Sequence, residues 1–134
     1  MKLSAASSYA VRALAHLARQ PAGAYVKARD IALGTGLRTT VLKKILAQLG
    51  RAGLLRSSKG AAGGHALARP ARQITLLAIV DATGGPIRGG LTDATGDDRG
   101  TAFDRRLQAV CDDVAESLRR RLARVTLADL AKAK

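Results

Sequence analysis

Lys59 and Gly60 open a run, "KGAAGGHALARP", in which three glycines stand beside a lysine and ahead of Arg69-Pro70. That composition lets backbone approach an anion closely, with a cation at hand. A second group of donors precedes it. Arg38, Thr39, Thr40, Lys43 and Lys44 recur at a spacing that puts most of them on one side of a helix. Two chemistries fit such donors: cradling a nucleotide phosphate, or holding the backbone of a nucleic acid. A nucleotide loop would need G-x-x-x-x-G-K-[ST], and no lysine follows these glycines. A dinucleotide loop would need its glycines between a strand and a helix. Here they lie between two short runs of strand type, "LLRSS" and "HALA", as at the tip of a hairpin.

Charge supports the second chemistry. From Ile31 to Val80 there is no Asp or Glu, while eight Lys and Arg fall there. Residues 1–80 carry 13 basic and 1 acidic side chain, a balance of +12; the remainder carries 10 and 9, a balance of +1. So one-sided a distribution is the footprint of a polyanionic partner, the plainer alternative being a solvated basic face. Single-stranded nucleic acid and most RNA targets are bound by stacking bases on aromatic rings. The chain has only Tyr9, Tyr25 and Phe103, none inside the basic window. A helix in a major groove reads bases with Arg, Lys and Thr and needs no rings. Double-stranded DNA is the expected partner.

Positioning these groups requires helices, and a composition rich in Ala, Leu and Arg favours them. Ser4 caps a helix whose apolar positions are Tyr9, Val11, Leu14, Leu17 and Ala18. Val26 to Leu33 reads as a second helix, stopped by Gly34 and Gly36. A third carries Leu42, Ile45, Leu46 and Leu49 on one face, with the basic residues on or near the other. Two short helices around a Gly-containing turn make a helix-turn-helix, and a hairpin directly after it is a wing. Thr75 caps a fourth helix, "LLAIVDAT".

Residues 86–101 read as a flexible loop. Thr101 opens a long helix with Phe103, Leu107, Val110, Cys111, Val114, Leu118, Leu122 and Val125 along one side. A stripe that long must be covered, by a second copy of the chain or by packing within its own. Thr126 opens a short terminal helix. The expected fold is mainly α with a small β-hairpin: a winged helix-turn-helix in residues 1–85, and a dimerisation helix with C-terminal tail in 102–134.

Other classes are poorly served. No carboxylate pair, nucleophile triad or metal-ligand spacing stands out, so the chain does not read as an enzyme. One cysteine excludes an intrachain disulfide framework. No apolar run is long enough to span a membrane, and Arg12 and His16 interrupt the only segment resembling a signal peptide, so the cytoplasm is the expected compartment. His16 and His65 read as surface or packing residues, with His65 also placed to touch phosphate from the wing.

With these residues in place, the sequence resembles the IscR, NsrR and CymR (BadM-type) bacterial winged helix-turn-helix regulators. The resemblance rests on "MKLSAASSYAVRAL", "LKKILAQLGRAGLLRSSKGAAGGHALARP", "ITLLAIVDATGGP" and "VTLADL", in that order. It implies a homodimer joined by the long helix, acting on a pseudo-palindromic site, more often as a repressor. It places Arg38, Thr39, Thr40, Lys43 and Lys44 in a major groove, and Lys59 and Gly60 in the adjoining minor groove. Relatives often have an acid where Lys43 stands and a Tyr where His65 stands.

Several relatives hold an iron–sulfur cluster with three cysteines in the loop before the long helix, some with an acid ligand where Ser8 stands. Ile87 to Gly100 contains no cysteine, so no cofactor is expected. Cys111 falls where relatives often have Trp, and reads as a buried small hydrophobe or, alternatively, a redox-active thiol. Some cysteine-poor relatives associate with a cysteine-biosynthesis enzyme. The resemblance therefore leaves room for a protein partner or a small-molecule effector.

Overall fold

The computed structural model describes residues 1–89 and 101–133. Three helices form the first layer. Helix α1 (Ala5–Ala18) begins where Ser4 Oγ accepts the Ser7 N–H at 3.0 Å, satisfying one of the first-turn donors. Its inward face is Ala10, Ala13, Leu14 and Leu17. The small residues let neighbouring helices approach closely.

Helix α2 (Ala28–Thr35) starts and ends two residues later than the spacing predicts. Gly34 lies inside it and does not stop it; Gly36 closes it in the left-handed conformation. The reason for Gly34 is contact. A Cβ there would stand 2.2 Å from His16 Cε1, so α1 and α2 touch through an imidazole laid against bare backbone. His16 is thereby a packing residue. Helix α3 (Thr39–Arg51) buries Leu42, Ile45, Leu46 and Leu49 against α1.

Strands β1 (Leu55–Ser58) and β2 (Gly64–Leu67) pair antiparallel, with Leu55 opposite Leu67 and Ser58 opposite Gly64. Val26, expected in a helix, instead forms a bridge to the outer side of β2. Val26 N–H donates to His65 O at 2.8 Å, and His65 N–H to Val26 O at 2.7 Å. This third partner fixes the base of the wing to the segment entering α2. Only glycine fits at Gly64, where φ is +140° and a Cβ would lie 2.5 Å from Val26 O. Gly64→Ala is expected to destabilise the protein by about 1–3 kcal/mol. The check is a lower urea midpoint, with faster hydrogen exchange at the amides of Val26 and His65.

A 3₁₀ turn (Ala71–Gln73) leads to α4 (Leu76–Thr83), capped by Thr75 as the sequence predicts. Helix α5 (Ala102–Leu122) is about 30 Å long at 1.5 Å per residue. Its C-terminal half is fastened to α4 by a bidentate contact: Arg119 Nη1 and Nη2 each lie 3.2 Å from an Asp81 carboxylate oxygen. The segment after α4 follows α5, since Arg119 Nη1 also donates to Ile87 O at 3.4 Å. Most of the segment expected to be a flexible loop, residues 90–100, lies outside the described residues.

Helix α6 (Leu127–Ala131) opens with a complete capping box between Thr126 and Asp129. Helix α6, grouped with the long helix in the sequence reading, packs on α1. Leu127 N–H donates to Ile74 O at 2.8 Å, Leu76 N–H to Val125 O at 2.8 Å, and Arg19 reaches the carbonyls of Ala131 and Ala133. Leu127 is fully buried in the same core as α1 and α3, a burial of about 2 kcal/mol. The long helix thus leaves the winged unit and its chain returns to it.

Candidate nucleic-acid interface

Because α3 buries Leu42, Ile45, Leu46 and Leu49, its opposite face is set by the 3.6-residue period. Arg38, Thr39, Thr40, Lys43 and Lys44 are all exposed, as are Ala47 and Arg51 further along. Val41 is 37% exposed among them. The spacing did not single it out, yet an exposed Val offers the kind of apolar surface that can meet a thymine methyl. Its signal was present: Val41 precedes the inward Leu42 by one residue, which turns it outward. No side chain caps the start of α3. Its first N–H groups are therefore open to an oxygen acceptor such as a phosphate.

The hairpin tip carries Lys59 and Gly60, both exposed, with nothing near the position of a Gly60 Cβ. Lys27 was also missed. It precedes α2 in sequence, but its Nζ donates to Gly60 O at 2.5 Å. A cation from the helix-turn-helix therefore sits beneath the wing tip, 33 residues away along the chain, and holds its carbonyl. Sequence spacing could not reveal a pairing that depends on the Val26–His65 bridge.

His65, expected to touch phosphate from the wing, also bonds within the hairpin. It is half-buried in β2 with Nδ1 2.9 Å from Ser57 Oγ, and burial holds its pKa below the ordinary 6.5. An imidazole bonded across the hairpin braces the wing, and its burial disfavours the charged form. The sign of the linkage follows. As pH falls, the unfolded chain takes up this proton first, so the stabilisation is complete above about pH 6.5 and declines as pH falls below it. The expected NMR titration midpoint of His65 Cε1 lies below 6.5; a midpoint above 6.5 would show instead a charged, phosphate-ready ring.

Electrostatics distinguish this face from the remainder. Arg29 pairs with Asp30 at 3.9 Å and Arg119 with Asp81 at 3.2 Å. Neither pair involves Arg38, Lys43, Lys44 or Lys59. Their charge is left for an external anion.

The expected dimer stripe divides in two. Phe103, Leu107, Val110 and Val114 recur at steps of four, three and four, and are 74%, 39%, 56% and 62% exposed. Cys111 and Leu118 are half-buried on the adjacent stripe, turned by about 80° at 100° per residue. Ala115 and Leu122 on that second stripe are buried within their own chain. Leu122 is therefore already covered intramolecularly, and Val125 lies beyond the helix, its carbonyl bonded to Leu76. The first stripe is the more exposed of the two. Cys111 is the sole cysteine, and among the described residues no three His, Cys, Asp or Glu side chains are grouped to hold a metal ion.

Comparison with known proteins agrees with this geometry. The family model described as "Rrf2: Iron-dependent Transcriptional regulator" matches residues 3–133. A helix-turn-helix-type transcriptional regulator of Mycobacterium tuberculosis (strain H37Rv) is 34% identical over 131 residues, covering 98% of this chain and 81% of that one. A second from Synechocystis is 33% identical over 133 residues, covering 97% and 87%. Among solved structures, IscR of T. potens superposes with a TM-score of 0.74 at 30% identity, covering 98% of this chain and 87% of that one. CymR, the global cysteine regulator of B. subtilis, shares the fold with a TM-score of 0.77 at 24% identity, covering 100% and 98%. These are regulators, not enzymes, and no helix among the described residues is long and apolar enough to cross a membrane. The chain belongs to the Rrf2 family of DNA-binding transcriptional regulators.

Proposed function

We propose that the protein is a homodimeric repressor that reads a pseudo-palindromic site in duplex DNA without an iron–sulfur cluster. The observation that carries this reading is one molecule bearing two unsatisfied surfaces of different kind. One is the basic face of α3 and the wing, with no acidic partner among the described residues. The other is the exposed stripe of Phe103, Leu107, Val110 and Val114. Steps of four and three are those of a helix seam that buries itself against another helix. A two-fold axis through that seam presents two α3 helices, which read half-sites about 34 Å apart. Lys59 and Gly60 then follow the backbone into the neighbouring groove. Occlusion of a promoter by such a dimer represses transcription.

The donor set speaks against a cluster. The family description names iron, but a single cysteine on a helix does not supply the several thiolates a cluster takes. The segment from Ile87 to Gly100 contributes neither Cys nor His. Cys111 lies half-buried next to inward-facing Ala115 and Leu118, which favours packing over redox sensing.

The test is transcription in vitro from a promoter overlapping a selected site, with protein prepared with and without air. The reading expects fewer transcripts as protein is added, a colourless preparation and the same DNA affinity in both. Visible charge-transfer absorbance with air-sensitive binding would replace it with a cluster-dependent regulator. Binding of a protein partner that duplex DNA does not displace would favour action through that partner.

A further inference from the structure

A groove of about 450 Å³ lies behind the wing, between the end of α1, the turn at Pro21–Ala24, and the base of the hairpin. Its apolar lining includes Leu17, Pro21 and Leu67, and Arg56, Arg69 and Arg72 also line it. Among the described residues no Asp or Glu contributes to the lining. None of the three guanidiniums has a hydrogen-bond or ion-pair partner among the described residues. Three like charges around one concavity repel one another, and an anion seated there relieves the repulsion.

The size and mixture are those of a small-molecule site: a few hundred Å³, apolar contact for the body of a ligand, and a few charged groups that select its head. Arg guanidiniums suit carboxylate and phosphate heads, which they bind through paired N–H groups. The location differs from the DNA-reading surface. Lys59 and Gly60 are at the tip of the hairpin, whereas Arg56 and Leu67 are at its base, in the pairs nearest the core.

We infer that this groove is a binding site for a small organic anion, a carboxylate or phosphate ester with a compact apolar body. Such a ligand would touch β1 through Arg56, the segment after β2 through Arg69 and Arg72, and the end of α1 through Leu17. It would tie the base of the wing to the helical core.

The experiment is an NMR titration of the full-length protein with phenyl phosphate, with inorganic phosphate in a parallel arm. The expected result is saturable shifts at the amides of Leu67, Ala68, Ala71 and Arg72, with phenyl phosphate binding more tightly than phosphate. Arg69→Gln with Arg72→Gln is expected to weaken phenyl phosphate by roughly tenfold or more, while Arg106→Gln on α5 leaves it unchanged. Unshifted proton dispersion in the double variant verifies that it is folded. Shifts scattered over all basic residues, equal binding of the two probes, or no effect of the double variant would overturn the assignment. So would a loss of DNA affinity in the double variant matching its loss of phenyl phosphate, which would make the groove a DNA-phosphate contact.

Discussion

Replacing Lys43, Lys44 and Lys59 together by Gln is expected to weaken the hold of each protomer on its half-site by roughly two to three orders of magnitude at about 0.1 M salt. Each phosphate contact releases about 0.9 counterion, so each lost contact removes about 0.9 from the slope of log affinity against log salt. All three side chains are exposed and none has an acidic partner among the described residues. Their removal should therefore leave thermal stability within the small range typical of surface substitutions. Thr40→Ala provides the contrast. Thr40 is uncharged and exposed in the first turn of α3, so its loss is expected to change base preference and leave the salt slope alone. A triple variant with an unaltered slope would place the phosphate contacts elsewhere.

The second large effect concerns association. Val110→Glu with Val114→Glu puts two carboxylates into the middle of the exposed stripe. Across a two-fold seam they meet their own copies, and burying unpaired like charges is strongly unfavourable. The expected result is a single-chain mass by sedimentation, with affinity for a two-half-site operator reduced about a hundredfold or more because the second half-site is no longer linked to the first. The folded unit should survive, since both positions point away from the chain that carries them. A mass of two chains after this change would show that the seam lies elsewhere, and a monomer with full affinity would show that DNA binding does not need it.

Which features the sequence discloses depends on how local they are. Caps at Ser4, Thr75, Thr101 and Thr126 were legible, because each is a side chain answering a backbone N–H three residues on. The inward face of α3 was legible because Leu and Ile mark it strongly. Helix α1 was less so. Its fully buried residues include Ala10 and Ala13, which add little to an apolar stripe and are inward because the helices come close. Gly34 read as a stop because its reason, the ring of His16, stands 18 residues away in sequence.

The interface followed the same division. The charges on α3 and the wing tip could be read from spacing and from the missing acids. Lys27 under Gly60, and His65 braced on Ser57, depend on the bridge from Val26 to β2. The long helix shows a further limit. One apolar row in sequence covered two faces, and the docking of α5 on α4 decides which is buried at home. Periodicity gives a helix its apolar arc and says nothing about how much of that arc its own chain takes.

The most direct measurement is selection of bound sequences from random duplex DNA, with the intact chain and the triple Lys→Gln variant side by side. The account predicts an inverted repeat whose half-sites are centred about one helical turn apart, enriched by the intact chain and not by the variant. Enrichment of a single asymmetric element, or an inverted repeat recovered equally by both proteins, would contradict it.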